Sequence, residues 1–310
     1  VQLIDAATDE HLWAEIYDRE LTVANIFDIQ SEIATAIAKA LQAELTSDDA
    51  QRLAVQPTQN LAAYEAYLLG RQRFAKRSAA GLAEALGYFQ QAIALDPDFA
   101  LAYVSLADVY QVQGDWGLIS LKEANAKSLP LAEKALQLDD QLGEAYTTLG
   151  SIREYSGDYA GAGQAYRHAL ELAPNYPQAS FWYGLYLMQS MGRPAEAVPQ
   201  FEHALSMDPL SDIVMVNLSS AHVALGDFEA ARALNQKAVE VDPAFGSALG
   251  NIGWLAWTVK GDLVTAIDYV LQAYKIDPDD QWNIASFAEL FSELGDDATG
   301  LDDGAPTLGL

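Results

Sequence analysis

One short phrase recurs six times along the chain at nearly even spacing. It reads AIALDP ending at Pro97, ALQLDD at Asp140, ALELAP at Pro174, ALSMDP at Pro209, AVEVDP at Pro243 and AYKIDP at Pro278. The steps between these ends are 43, 34, 35, 34 and 35 residues. Proline has no N–H and restricts the residue before it, so five of the phrases mark the end of a helix, and Asp140 stands in for the proline in the other. A period near 34 residues, built from two helices, confines the chain to a stack of helical hairpins.

The third unit shows what fills each hairpin. Tyr146, Leu149 and Gly150 lie on its first helix, with Arg153 where an aromatic is the rule; Ala162, Tyr166, Ala169 and Pro174 complete the second. This resembles the tetratricopeptide repeat, W-x2-L-G-x2-Y…A-x3-F…P. Gly150 and Ala162 are small enough for the two helices to approach closely, and Leu149 and Tyr166 fill the space between them. The fifth unit keeps the frame with Leu218, Ser219, Ala231 and Ala238. Gly-Asp pairs at 114–115, 157–158, 226–227 and 261–262 predict the turns. The glycine closes one helix in the left-handed conformation and the aspartate caps the next.

The fold expected is all-α, a tetratricopeptide-repeat superhelical solenoid with a small N-terminal β-hairpin plus helix. Residues 60–278 hold six repeats, 279–295 a capping helix and 296–310 an acidic flexible tail. Over 60–295 this gives thirteen antiparallel helices in a right-handed superhelix. Extra residues are assigned to the turns of the first unit (76–81) and of the second (about nine, 116–124). The fourth and sixth units carry one more residue in the first helix or its entry.

Residues 1–55 do not repeat and read as a truncated α/β segment. Val1–Asp5 and His11–Glu20 predict two strands, the second because Leu12, Ala14 and Ile16 alternate with Trp13, Glu15 and Tyr17. Asn25 is placed as the cap of a helix running to about Leu45, with Ile26, Ile29, Ile33, Ile37 and Leu41 on one face. The stretches VQLIDAATDEHLWAEIYDREL and IFDIQSEIATAIAKAL resemble the end of the TolB-amino-terminal-like region. The wording YEAYLLGRQRF, ALGYFQQAIALDPDFALAYVSLADVY and FWYGLYLMQSMGR is similar to the repeat half of bacterial class III adenylate cyclases, serine/threonine kinases and CadC-type winged-helix regulators. The resemblance implies the sensory or adaptor half of a regulator, on the periplasmic side of a membrane, with a cytoplasmic placement left open. The start at Val1 rather than Met points to a piece of a longer protein or a processed one.

The net charge of −27, from 44 acidic and 17 basic residues, makes nucleic acid and anionic membrane poor partners. No apolar run is long enough to span a bilayer. The absence of cysteine removes disulfides and thiolate metal sites. His11, His168, His203 and His222 have no metal-ligand spacing, no phosphate loop follows a strand, and no nucleophile motif occurs. The reading is therefore no enzyme, no cofactor and no metal.

The candidate surface is the row of first helices, which lines the concave face in this repeat family. The residue just before the Leu-Gly pair points into that face: Ser105, Thr148, Trp182, Asn217 and Asn251 in units two to six. Asn217 and Asn251 resemble the asparagine ladder of the O-linked N-acetylglucosamine transferase superhelix, whose amides grip peptide main chain. An amide both donates and accepts, so it pairs with any peptide group. Tyr67, Trp182 and Trp254 are the aromatic candidates. The basic clamp for a terminal carboxylate is missing, because its positions hold Tyr67, Ser105, Glu144 and Thr148 and only Arg71 is cationic. The function expected is a protein- or peptide-binding scaffold, with a weak homodimer through the Val1–Asp5 strand edge. Two alternatives stay open: a structural self-association module, and the regulatory part of a signalling enzyme whose catalytic domain lies elsewhere.

Overall fold

The computed structural model describes residues 1–4, 11–16, 23–41, 56–76 and 78–276. The chain divides into two compact units, Val1–Ser156 and Gly157–Leu310. The boundary falls in the turn of the third repeat.

In the first unit, β1 (Gln2–Ile4) pairs antiparallel with β2 (His11–Ala14), with a register shift between Leu3 and Ile4. The strands are shorter than the expected spans. Ile16 lies past the end of β2 and is 90% exposed, so the alternation expected there buries no apolar face at that residue. Helix α1 spans Val23–Ala40, so Asn25 sits inside it rather than at its cap. Ile29 is buried, Ile33 and Ile37 are half-buried, and Gln30 hydrogen-bonds Tyr64 of the first repeat.

The repeats of this unit are α2 (Leu61–Phe74) with α3 (Ala79–Leu95), then α4 (Ala100–Asp115) with α5 (Leu121–Leu138), then α6 (Gly143–Tyr155). Asn60, Ser78 and Ser120 cap α2, α3 and α5 by accepting the backbone N–H three residues on. The insertion in the second repeat is not a loop. Its helices run to 16 and 18 residues, against 13 in α6, and only 116–120 are left for the turn. Gly114 lies inside α4, where its missing Cβ lets Ala124 approach, and the left-handed glycine of this turn is Gly117, φ +69°. The core gathers Tyr64, Tyr67, Leu82, Phe89, Phe99, Leu106 and Val109.

The second unit holds α7 (Tyr159–Leu172), α8 (Pro177–Leu185), α9 (Pro194–Met207), α10 (Asp212–Ala224), α11 (Phe228–Val241), α12 (Gly246–Lys260) and α13 (Leu263–Ile276). Here the Gly-Asp turns form as predicted. Gly157, Gly226 and Gly261 all have positive φ, and Asp158, Asp227 and Asp262 cap the next helix. The extra residue of the fourth repeat is absorbed by a π-helical turn, Tyr186–Ser190, in which the Met191 N–H reaches back five residues to the Tyr186 carbonyl at 3.1 Å. In the sixth, α12 itself is longer, with 15 residues. Twelve helices thus occupy Leu61–Ile276 among the described residues. The expected capping helix and tail (279–310) lie outside them.

In the first and fourth repeats a glycine packs against an aromatic ring. A Cβ on Gly70 would meet the Phe89 ring at 2.5 Å, and one on Gly184 would meet Phe201 at 2.7 Å. The ring of the second helix therefore lies directly on the glycine of the first. Phe89 and Phe201 are fully buried by this contact.

Candidate functional site

In the first unit three of the expected surface residues turn out to be interior. Tyr67 is buried, with its ring 5.0 Å from that of Phe99 and 5.9 Å from that of Phe89. Its hydroxyl accepts from Arg71 Nη1 at 3.0 Å. Ser105 and Thr148 are also buried. Successive first helices lie side by side here, and the Thr148 hydroxyl donates across that seam to Asp108 Oδ1 at 2.6 Å. These three side chains shape the surface from beneath rather than offering a face to a ligand.

Asp108 is the residue that sequence reasoning missed. Burial pushes its carboxyl up to about 6; the Thr148 hydrogen bond and the Arg71 charge pull it down, and Glu144 pushes it up. It stands one residue beyond the Leu106-Ala107 pair, on the same row as Arg71 beyond Leu69-Gly70. Arg73, two residues beyond Arg71, pairs with Glu84 at 3.0 Å.

In the second unit the remaining candidates are half-buried. Trp182 packs edge-on to Phe181 at 5.6 Å and lies against the core around Tyr166 and Phe201. Trp254 keeps part of its surface open. Asn217 Nδ2 donates to the Ile213 carbonyl at 2.8 Å, one turn back in its own helix. Asn251 Nδ2 faces Asn235 Oδ1 at 3.4 Å. Asn235 is fully buried on α11, at the position that Phe89 and Phe201 occupy in their repeats. Its Nδ2 donates to Ser219 Oγ at 2.6 Å and to the Ala231 carbonyl at 3.0 Å. Ser219 stands where the first, fourth and sixth repeats place Gly70, Gly184 and Gly253. The fifth repeat has thus exchanged a ring on a glycine for an amide on a hydroxyl. Two departures from the repeat pattern, Asn at a ring position and Ser at a glycine position, were the available signal.

Among the described residues no group of three or more His, Asp and Glu side chains is placed to hold a metal ion, and no helix is long and apolar enough to cross a membrane. His203 Nδ1 lies 2.8 Å from the Ser180 hydroxyl, and His168 lies 3.1 Å from Glu171.

Two tetratricopeptide-repeat family models match the chain, over residues 147–212 and 188–250. A putative adenylate cyclase 3 of Rhizobium meliloti is 34% identical over 106 residues, which is 34% of this chain and 18% of that protein. The chain therefore matches less than a fifth of that relative's length. Among solved structures, the Cut9–Hcn1 hetero-tetramer of APC/C superposes with a TM-score of 0.60 at 16% identity, covering 86% of this chain and 53% of that one. Pseudomonas aeruginosa PilF gives 0.53 at 21% identity, covering 75% and 97%. At these identities the likeness is one of fold. Repeat wording and hairpin geometry give this chain the fold of a tetratricopeptide-repeat solenoid, and the family models identify the repeats themselves over residues 147–250.

Proposed function

We propose that the chain is a non-catalytic adaptor that holds an extended peptide segment of another protein along its first helices. The observation that carries this reading is the pair Asn217 and Asn251. They occupy the same position in successive repeats, both are half-buried, and the Oδ1 of each has no partner among the described residues. Polar groups part-way out of water and short of a partner favour a ligand that completes them. Trp182 and Trp254, partly open on α8 and α12, supply apolar surface of the kind that anchors such ligands. The similarity to part of a putative adenylate cyclase supports placing the adaptor in a bacterial regulator, outside its catalytic region.

The test is selection of binders from a random peptide library on the intact chain, followed by titration of the wild type and of Asn217→Ala/Asn251→Ala. Affinity should fall about tenfold in the variant, since each amide contributes roughly 0.5–1.5 kcal/mol. Undiminished affinity for every binder would remove the asparagine row from the account.

A further inference from the structure

Three helices of the second unit meet at Asn235, and its hydrogen bonds dictate more than its own orientation. The Ala231 carbonyl can only accept, so the side-chain nitrogen of Asn235 must be the atom beside it. That choice also suits the Ser219 hydroxyl, and it turns Asn235 Oδ1 toward α12. An oxygen there calls for a donor, so Asn251 must present Nδ2 inward and Oδ1 outward. One repeat earlier the Ile213 carbonyl imposes the same choice on Asn217. Amide orientation is otherwise a two-way ambiguity. Here two backbone carbonyls and one buried amide resolve it in the same sense for both residues.

We propose that Asn235 is a positioning residue, which holds the Asn251 amide so that this row presents oxygens and takes N–H donors from an extended peptide main chain. The inference rests on the peptide-binding reading above and adds a polarity to it. A main-chain N–H suits the row better than a side-chain donor. The two oxygens sit at equivalent positions of successive repeats, so any extended segment meets them whatever its sequence.

The experiment uses the tightest peptide from the library selection, remade with each backbone nitrogen methylated in turn. Methylation at one or two positions should weaken binding about tenfold, and Asn251→Ala should abolish the sensitivity at one of them. The decisive protein is Asn235→Phe/Ser219→Gly, which rebuilds the ring-on-glycine pair of Gly70–Phe89 and Gly184–Phe201. It keeps the repeat packed yet deprives Asn251 of its partner. It should lose the same methylation sensitivity as Asn251→Ala while keeping the wild-type thermal midpoint. A double variant with the wild-type methylation profile would overturn the positioning role. If binding needs both asparagines but no methylation weakens it, the peptide reading stands and the polarity is wrong. A selection that yields no binder overturns the peptide reading itself. Side-chain amide NMR of the free protein then decides Asn235 alone: the Asn251 NH2 protons should exchange slowly with water in the wild type, and exchange faster at shifted positions in the double variant. Unchanged Asn251 resonances would overturn the positioning role in that case too.

Discussion

The Ser219–Asn235 pair makes a quantitative prediction. Asn235→Ala removes three hydrogen bonds, two donated by its Nδ2 and a longer one accepted from Asn251, leaves the Ser219 hydroxyl short of a buried partner, and opens a small void. A net bond contributes about 0.5–1.5 kcal/mol and a buried orphan costs about 1–3 kcal/mol, so the loss should be about 2–4 kcal/mol. Asn235→Phe alone should be at least as damaging. Cβ atoms built at Gly70 and Gly184 would lie 2.5 and 2.7 Å from their rings, and Ser219 carries a Cβ at the matching place. Overpacking of that kind costs about 1–3 kcal/mol, in addition to the lost bonds. Ser219→Gly alone should cost about 1–2 kcal/mol, from helix propensity and the lost bond to Asn235. The double variant Asn235→Phe/Ser219→Gly should return to within about 1 kcal/mol of wild type, because ring and glycine now fit. The coupling between the two substitutions should therefore exceed about 2 kcal/mol, at the upper end for residues in contact. Urea unfolding of the four proteins, with hydrogen exchange read on α10 and α11, measures it. Additivity within about 0.5 kcal/mol would refute the packing rule drawn from the glycine–ring contacts.

Three further outcomes follow from the same structure. Asp108 has a folded pKa of about 6 against a usual 3.8, so the folded state binds more protons between those values and stability falls as pH rises through that window. Asp108→Asn should flatten this dependence and stabilise the protein by roughly 1–3 kcal/mol at pH 7–8; a wild-type-minus-variant difference that does not grow from pH 4 to 7 would refute it. Gly184→Ala should destabilise by about 1–3 kcal/mol through the Phe201 ring, whereas Gly87→Ala, with open space around it, should stabilise α3 slightly; thermal melts distinguish the two. Among the described residues the sheet has the two strands β1 and β2, with an edge beyond Gln2–Ile4, so light scattering should show weak dimers that vanish when residues 1–22 are removed; equal monomeric masses at high concentration would exclude edge pairing.

Most of the fold was legible because the repeat writes its own punctuation. Each closing phrase ends a second helix, and Gly157, Gly226 and Gly261 take the turns that their Gly-Asp pairs predicted. Reading failed where two signals competed. Gly114-Asp115 looks like the other turns, but α4 continues through it because Gly117, two residues beyond Asp115, takes the left-handed conformation and closes the helix. The extra residues of the second repeat then lengthen α4 and α5 rather than the turn between them. The single extra residue of the fourth repeat showed in its 35-residue step, but its place did not, since a π turn absorbs it without a breaker residue. The site was harder. Adjacent positions on a helix differ by about 100°, and neighbouring repeats decide which of them stay open. Ser105, Thr148, Asn217 and Asn251 share one repeat position, yet the first two are buried and the last two half-buried. Asp108 and Asn235 matter because of partners 40 and 16 residues away, Thr148 for one and Ser219 and Asn251 for the other.

An extended peptide lying along the first helices through Asn217 and Asn251 would leave its mark on their amides. Amide NMR of the intact chain, titrated with a library-selected peptide, reads that mark. Shifts should concentrate on α10 and α12 around Asn217 and Asn251, with both Asn side-chain amides among the largest. Shifts confined to the second helices α11 and α13, with the two side-chain amides unmoved, would contradict it.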